Sequence, residues 1–134
     1  MISTMVIGVD PSDTSHQACR YGFDIARAFD AHVHLVTAFS DSQAGALAVT
    51  DERRQAEAML AGAAALVDST GRRVTLHALP ARAPDAILQV ADEVGADLIV
   101  IGNKGAQGVR RVLGSVAGAV TNGAPCSILV VKTT

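Results

Sequence analysis

The chain reads as an α/β protein: a single three-layer sandwich with one five-stranded parallel sheet and four helices. Three observations predict this. Hydrophobic periodicity switches repeatedly between short β-branched runs and longer stretches whose apolar residues recur every three or four positions. The runs at 5–9, 98–101 and 128–131 are apolar without alternation, as in strands buried on both faces. Helix-length segments separate successive strands, which is what a parallel crossover requires.

The first strand is "MVIGV" (5–9), which stops at the turn "DPSD". Ser12 is placed there to cap a helix over about 13–30, on which Ala18, Tyr21, Gly22, Ile25, Ala26 and Phe29 share one face. "HVHLVTAF" (32–39) is the second strand, and "SDSQAGALAV" after it carries no clear pattern. A second helix over about 51–69 turns Ala56, Met59, Leu60, Ala63, Leu66 and Val67 inward and ends at the glycine of "TGRR". "VTLHAL" (74–79) is the third strand. Pro84 suits the first turn of a third helix, which buries Ile87, Leu88, Ala91 and Val94 and stops at Gly95. "ADLIVIG" (96–102), a short helix "SVAGAVTNG" and a last strand "CSILVVK" (126–132) complete the set. Winding outward through strands two and three, then returning to set strand four beside strand one, gives the order 3-2-1-4-5. No linker or repeat divides residues 1–134, so one domain is expected.

Hydrophobic residues make up 49% of the 134, yet no run approaches the ~18–20 apolar residues of a membrane helix. With no basic, apolar leader at the start, a soluble cytoplasmic protein is expected. Cys19 and Cys126 belong to no CxxC or Cys/His cluster and read as packed, reduced thiols. The net charge of −2 hides a division: residues 1–97 carry thirteen acids and seven bases, whereas 98–134 carry Lys104, Arg110, Arg111 and Lys132 and no acid. One tyrosine, three phenylalanines and no tryptophan leave out the stacking platforms of single-strand nucleic-acid binders. Neither nucleic acid nor membrane is expected as a partner.

In parallel sheets ligands bind beyond the carboxyl ends of the strands, where strand order reverses. The order above makes Asp10 and Gly102 neighbours across that point. From Gly102 on, "GNKGAQGVRRVLGS" (102–115) has four glycines and three bases in fourteen residues. Gly102 and Gly105 allow a sharp turn that points amides into a concavity. Gly114-Ser115 opens a helix, whose amino end attracts anions. Ser115 serves as its cap or bonds a phosphate oxygen, and Asp10 accepts from an amino group or a ribose hydroxyl, or else caps its own turn. The spacing is neither that of a P-loop nor that of a dinucleotide fingerprint. His32 and His34 share a strand face with His77 close by, but without a Cys or carboxylate cluster no metal is expected there.

"VIGVDPSDTSHQA", "ADLIVIGNKG" followed by "LGSVAGAV", and "APCSILVVK", in that order, resemble the universal stress protein family over essentially the whole chain. The resemblance implies a five-stranded α/β sandwich, homodimers formed through the last strand (126–132), and a branch that binds ATP through G-x2-G-x9-G-[S/T]. It implies that Val9, Asp10, Pro11 and Ser12, with the backbone near Val36 and Ala38, meet adenosine. Gly102, Asn103, Lys104, Gly105, Gly114, Ser115 and Val116 would then surround ribose and phosphates. The chain departs from the pattern between Gly105 and Gly114, where eight residues stand in place of nine, which bears on its reach around a triphosphate. Pro11 stands where many relatives have glycine. The function so implied is a regulatory stress-response protein that holds ATP, AMP or cyclic AMP, with Mg²⁺ as the accompanying ion of ATP. Two alternatives stand beside it: a dimeric interaction protein with a vestigial cleft, and a slow ATP hydrolase, for which the sequence places no second carboxylate or base.

Overall fold

The structure is a computed structural model that describes residues 1–40, 46–65, 73–103 and 114–133, with backbone alone for 46–50. Its elements in chain order are β1 (Thr4–Gly8), α1 (Asp13–Phe29), β2 (His32–Phe39), α2 (Ala46–Ala65), β3 (Val74–Pro80), α3 (Ala83–Val94), β4 (Leu98–Gly102), α4 (Ser115–Gly123) and β5 (Ser127–Val131). The five strands form one parallel sheet in the order β3-β2-β1-β4-β5, as the sequence predicts. Ile7 pairs with Leu35 on one side and Val100 on the other, so β1 is the central strand.

Strand residues alternate between two helix layers. Met5, Ile7, Val33, Leu35, Leu98 and Val100 pack with residues of α1 and α2, among them Phe23 and Leu60. Val6, Val36, Ile99 and Ile101 pack with Ile87 and Val90 of α3 and Ala117 and Val120 of α4. Because β1 and β4 are covered on both sides, their buried positions 5–7 and 98–101 are all apolar, which explains the unbroken runs.

Helix ends follow their local chemistry. The Ser12 hydroxyl accepts from the Ser15 N–H and caps α1. Asp30 ends α1 in the left-handed conformation (φ 54°), and Gly95 ends α3 in the same way (φ 63°). The Asp97 carboxylate accepts from the Ser3 and Thr4 N–H groups and the Ser3 hydroxyl, tying the entries of β1 and β4 together. Those bonds favour its ionised form and hold its pKa below the usual carboxylate range.

Several sequence expectations need correction. Tyr21 and Phe29 are 57% and 45% exposed, while Cys19 and Phe23 are buried in their place. The buried stripe of α1 runs Ser15, Ala18, Cys19, Gly22, Phe23, Ala26, a regular three-four spacing. α2 starts at Ala46 rather than at 51, taking in the last four of the ten residues read as patternless. Ala56, Leu60 and Ala63 are buried as expected, whereas Leu66 and Val67 lie outside the described residues. On α3, Ala86 and Val90 are buried with Ile87 and Ala91, and Leu88 and Val94 are only partly covered.

Candidate functional site

β1 ends at the centre of the sheet, and the chain leaves it through a turn made rigid by hydroxyls. The Val9 N–H donates to the Val36 carbonyl (2.9 Å), continuing the contact with β2 beyond the strand. The Asp10 N–H donates to the buried Ser15 hydroxyl (2.8 Å). The Asp10 carboxylate accepts at Oδ1 from the Ser12 N–H (2.8 Å) and from the Ser12 hydroxyl. Among the described residues these bonds all fall on Oδ1, so the turn-capping role of Asp10 leaves its second oxygen for another partner.

Across from this turn, β4 stops at Gly102. The Asn103 N–H donates to the Val131 carbonyl (2.9 Å), and the Gly114 N–H donates to the Asn103 carbonyl (3.0 Å). The residues on either side of 104–113 are therefore joined at the base. Gly114, not Ser115, is the N-cap of α4; it makes no side-chain cap bond, and Ser115 is the exposed first residue of the helix. The cap half of the Ser115 expectation is thus corrected. Amides in a first helical turn lack internal acceptors, and no acidic residue stands in the first turn of α4 to complement them.

Between the two strand ends lies a cleft with an empty volume of about 540 Å³, the open solvent at its mouth included. Val9, Asp10, Val36, Ala38, Gly102, Gly114 and Val116, all expected at the site, line it. Pro11, Ser12, Asn103 and Ser115 do not line it; Ser12 braces Asp10, and the Asn103 carbonyl holds the Gly114 amide. Lys104 and Gly105, with the basic residues Arg110 and Arg111, lie outside the described residues. Asp10 is the one ionisable side chain among the described lining residues.

Sequence reasoning missed Gly8, Ser15, Thr37, Ala83, Ile87, Ile101 and Ala117. Most of them are apolar or small and carry no chemical signature. Gly8 does leave a trace, as the one glycine in the β1 run. A Cβ there would come within 2.7 Å of Ile87 Cδ1, so glycine lets α3 close against the sheet beside the cleft. Ser15, three residues after the cap Ser12, was also legible as part of the turn.

The three histidines come together away from this cleft. His32 and His34 stack with ring centroids 4.3 Å apart, His34 Nδ1 and His77 Nε2 share a hydrogen bond of 2.9 Å, and His32 Nε2 pairs with the Thr75 hydroxyl at 2.8 Å. The rings bond to neighbours instead of aiming at one point, and among the described residues no three metal-ligating side chains are placed to hold one ion. Burial, then the adjacent His32 and His77, pushes the His34 pKa down to about 4. His32 and His77 are lowered too, both chiefly by burial, with Arg73 adding to the effect on His32 and Glu93 opposing it on His77. Burial raises the Cys19 thiol to about 12 and also raises Cys126, so neither is an activated nucleophile.

A parallel sheet in the order β3-β2-β1-β4-β5, with a cleft where the strand order reverses, places the chain in the doubly wound α/β class. Within that class the chain belongs to the universal stress protein family, whose model matches residues 1–132. It is 31% identical over 137 residues to a universal stress protein of Methanocaldococcus jannaschii, an alignment covering 96% of this chain and 81% of that one. A crystal structure of a universal stress protein in complex with cAMP is similar over 99% of both chains, with TM-score 0.81 and 30% identity. The universal stress protein from Archaeoglobus fulgidus in complex with dAMP is similar over 100% of both chains, with TM-score 0.75 and 27% identity. None of the described helices is long and apolar enough to cross a membrane.

Proposed function

We propose that this chain is a regulatory module that holds an adenine nucleotide in the cleft between β1 and β4 and acts through its liganded state, not through catalysis. The observation that carries the reading is the convergence of Asp10 and the Gly114 end of α4 on one cleft with apolar walls. In this reading Val9, Val36, Ile87 and Val116 flank the base, and backbone groups near Val36 and Ala38 select adenine. Asp10 accepts from the ribose through the oxygen that the turn leaves over. Phosphates face Gly114 and Ser115, with Lys104 and Gly105 completing the cradle. The cAMP and dAMP complexes of the two similar universal stress proteins support an adenine nucleotide as the ligand class.

Magnitudes divide the work between the two ends of the ligand. A charge at an exposed helix end contributes only about 0.3–1 kcal/mol, whereas micromolar affinity corresponds to about 8 kcal/mol. Burial of the base and its hydrogen bonds must therefore supply most of the binding. ATP is the triphosphate form of the proposed ligand. With a single carboxylate among the described lining residues, a Mg²⁺ ion arriving with ATP would be held chiefly by the phosphates and water. The same scarcity of acid and base groups favours binding over hydrolysis. β5 stands at the sheet edge with Ile128, Leu129 and Val130 only partly covered, and self-pairing there would give the homodimer.

Calorimetric titration tests the proposal. ATP, AMP and cyclic AMP are expected to bind, with affinity reduced at least about tenfold in Asp10→Ala and Gly114→Val, a loss of the order of one or two hydrogen bonds. No heat from the wild-type chain at millimolar nucleotide would overturn it.

A further inference from the structure

Asn103 stands where β4 leaves the sheet, and its bonds depart from the ladder in one place. Gly102 pairs with Val131 in the parallel register of β4 and β5, so the next pair is Asn103 with Lys132. In a parallel ladder a residue donates its N–H to the residue before its partner and accepts at its carbonyl from the residue after it. The first half is present: the Asn103 N–H donates to the Val131 carbonyl at 2.9 Å. The second half is carried by the side chain. The Thr133 N–H donates to Asn103 Oδ1 at 2.9 Å, and the Thr133 hydroxyl donates to the same oxygen at 2.9 Å. A backbone N–H requires an acceptor, which identifies this atom as the amide oxygen. The backbone carbonyl of Asn103, released from the ladder, accepts instead from the Gly114 N–H at 3.0 Å. Thr133 is 3% exposed and Gly114 is buried, so water does not readily replace these bonds.

We infer that Asn103 is a positioning residue: its side chain takes over a sheet bond so that its carbonyl can hold Gly114, making the end of β5 a determinant of the phosphate side of the cleft. A side chain without an acceptor at that reach leaves the Thr133 N–H to compete for the Asn103 carbonyl, and Gly114 loses its anchor. The consequence for binding rests on the nucleotide reading above. The phosphate end of the ligand should feel Asn103 and Thr133, and the adenosine end should not. It also makes β5, the proposed self-pairing edge, one hydrogen-bonded unit with the site.

The test uses Asn103→Leu, Thr133→Val and Thr133→Ser in the full chain, with two readouts. Amide hydrogen exchange without nucleotide should show Gly114 exchanging about tenfold faster in Asn103→Leu, and several-fold faster in Thr133→Val, with the β1 amides unchanged. Thr133→Ser should match the wild type, since the hydroxyl is kept; a purely packing role would reverse the order, because valine keeps the shape and serine does not. Titration with adenosine and AMP should show the preference for AMP lost in Asn103→Leu and retained in Thr133→Ser, with adenosine affinity within about twofold throughout. Unchanged Gly114 exchange in Asn103→Leu and Thr133→Val, or a serine variant as impaired as the valine one, would overturn the inference. So would equal losses of adenosine and AMP affinity. If the wild type bound neither compound, the nucleotide reading would fall, and the exchange rates would still decide the role of Asn103.

Discussion

The two layers around the sheet use the same alternating strands to different ends. Under α1 and α2 the core is built from large side chains, Met5, Ile7, Phe23, Leu35 and Leu60, all buried. Gly22 brings α1 so close to the sheet that a Cβ there would clash with Ile7 Cδ1. Under α3 and α4 the buried helix residues are Ala86, Ile87, Val90, Ala91, Ala117 and Val120, and this layer contributes Ala83, Ile87, Val116 and Ala117 to the cleft wall. The histidine cluster also lies on this side, since His34 follows the same alternation as Val36. Among the described residues Ser15 is the one cleft-lining residue that α1 and α2 supply, so one layer is closed core and the other borders the opening.

That contrast is open to direct attack. The largest expected effect is on the tightly packed side. Leu60 is 1% exposed, and Leu60→Ala is expected to cost about 2–4 kcal/mol of stability by denaturant unfolding. Nucleotide affinity should stay within about twofold of wild type, because no described atom of α2 lines the cleft between β1 and β4. A large affinity loss in the folded variant would mean that the two layers are not separable in this way.

A smaller effect is expected on the other side, from acid. His34 is 7% exposed, with its pKa pushed down to about 4, and His32 and His77 are lowered as well. The unfolded chain takes up protons below its ordinary histidine value of about 6.5 while the folded chain does not. The stability of the neutral cluster is therefore complete above that pH and is lost progressively down to about 4. At about 1.4 kcal/mol per pH unit, and allowing for proton sharing between His34 and His77, the loss is of the order of 2 kcal/mol. His34→Leu should flatten this part of the stability curve in urea titrations at pH 7, 6, 5 and 4.5. An unchanged slope would assign the acid sensitivity to other groups.

The fold was legible because unbroken apolar runs separated by helix-length segments admit few arrangements. The site was half legible for the same reason: strand order alone put Asp10 beside Gly102. What escaped depended on rotation and register. On α1 two aromatic stripes, through Tyr21 and Phe29 or through Phe23, compete at helical spacing, and packing against Ile7 and Val100 decided for Phe23. The histidine bonds follow from pairing His34 with Thr75 and Val36 with His77, a register that no local pattern encodes. Ile87 was read as core, which it is, and only the place where α3 ends its cover of the sheet makes it a cleft wall as well. The cap moved from Ser115 to Gly114 because the Asn103 carbonyl holds the Gly114 amide, a contact between residues eleven apart in sequence.

The most direct measurement is the map of backbone amide shifts during titration of the ¹⁵N-labelled chain with AMP. Binding in the cleft between β1 and β4 should move Gly8–Asp10, Val36–Ala38, Gly102–Asn103 and Gly114–Ala117 together along one saturation curve. Residues 51–65 of α2 and the histidines at 32, 34 and 77 should stay in place. An unperturbed spectrum at millimolar AMP, or shifts centred on α2 or the histidine cluster, would contradict the assignment of the cleft as a nucleotide site.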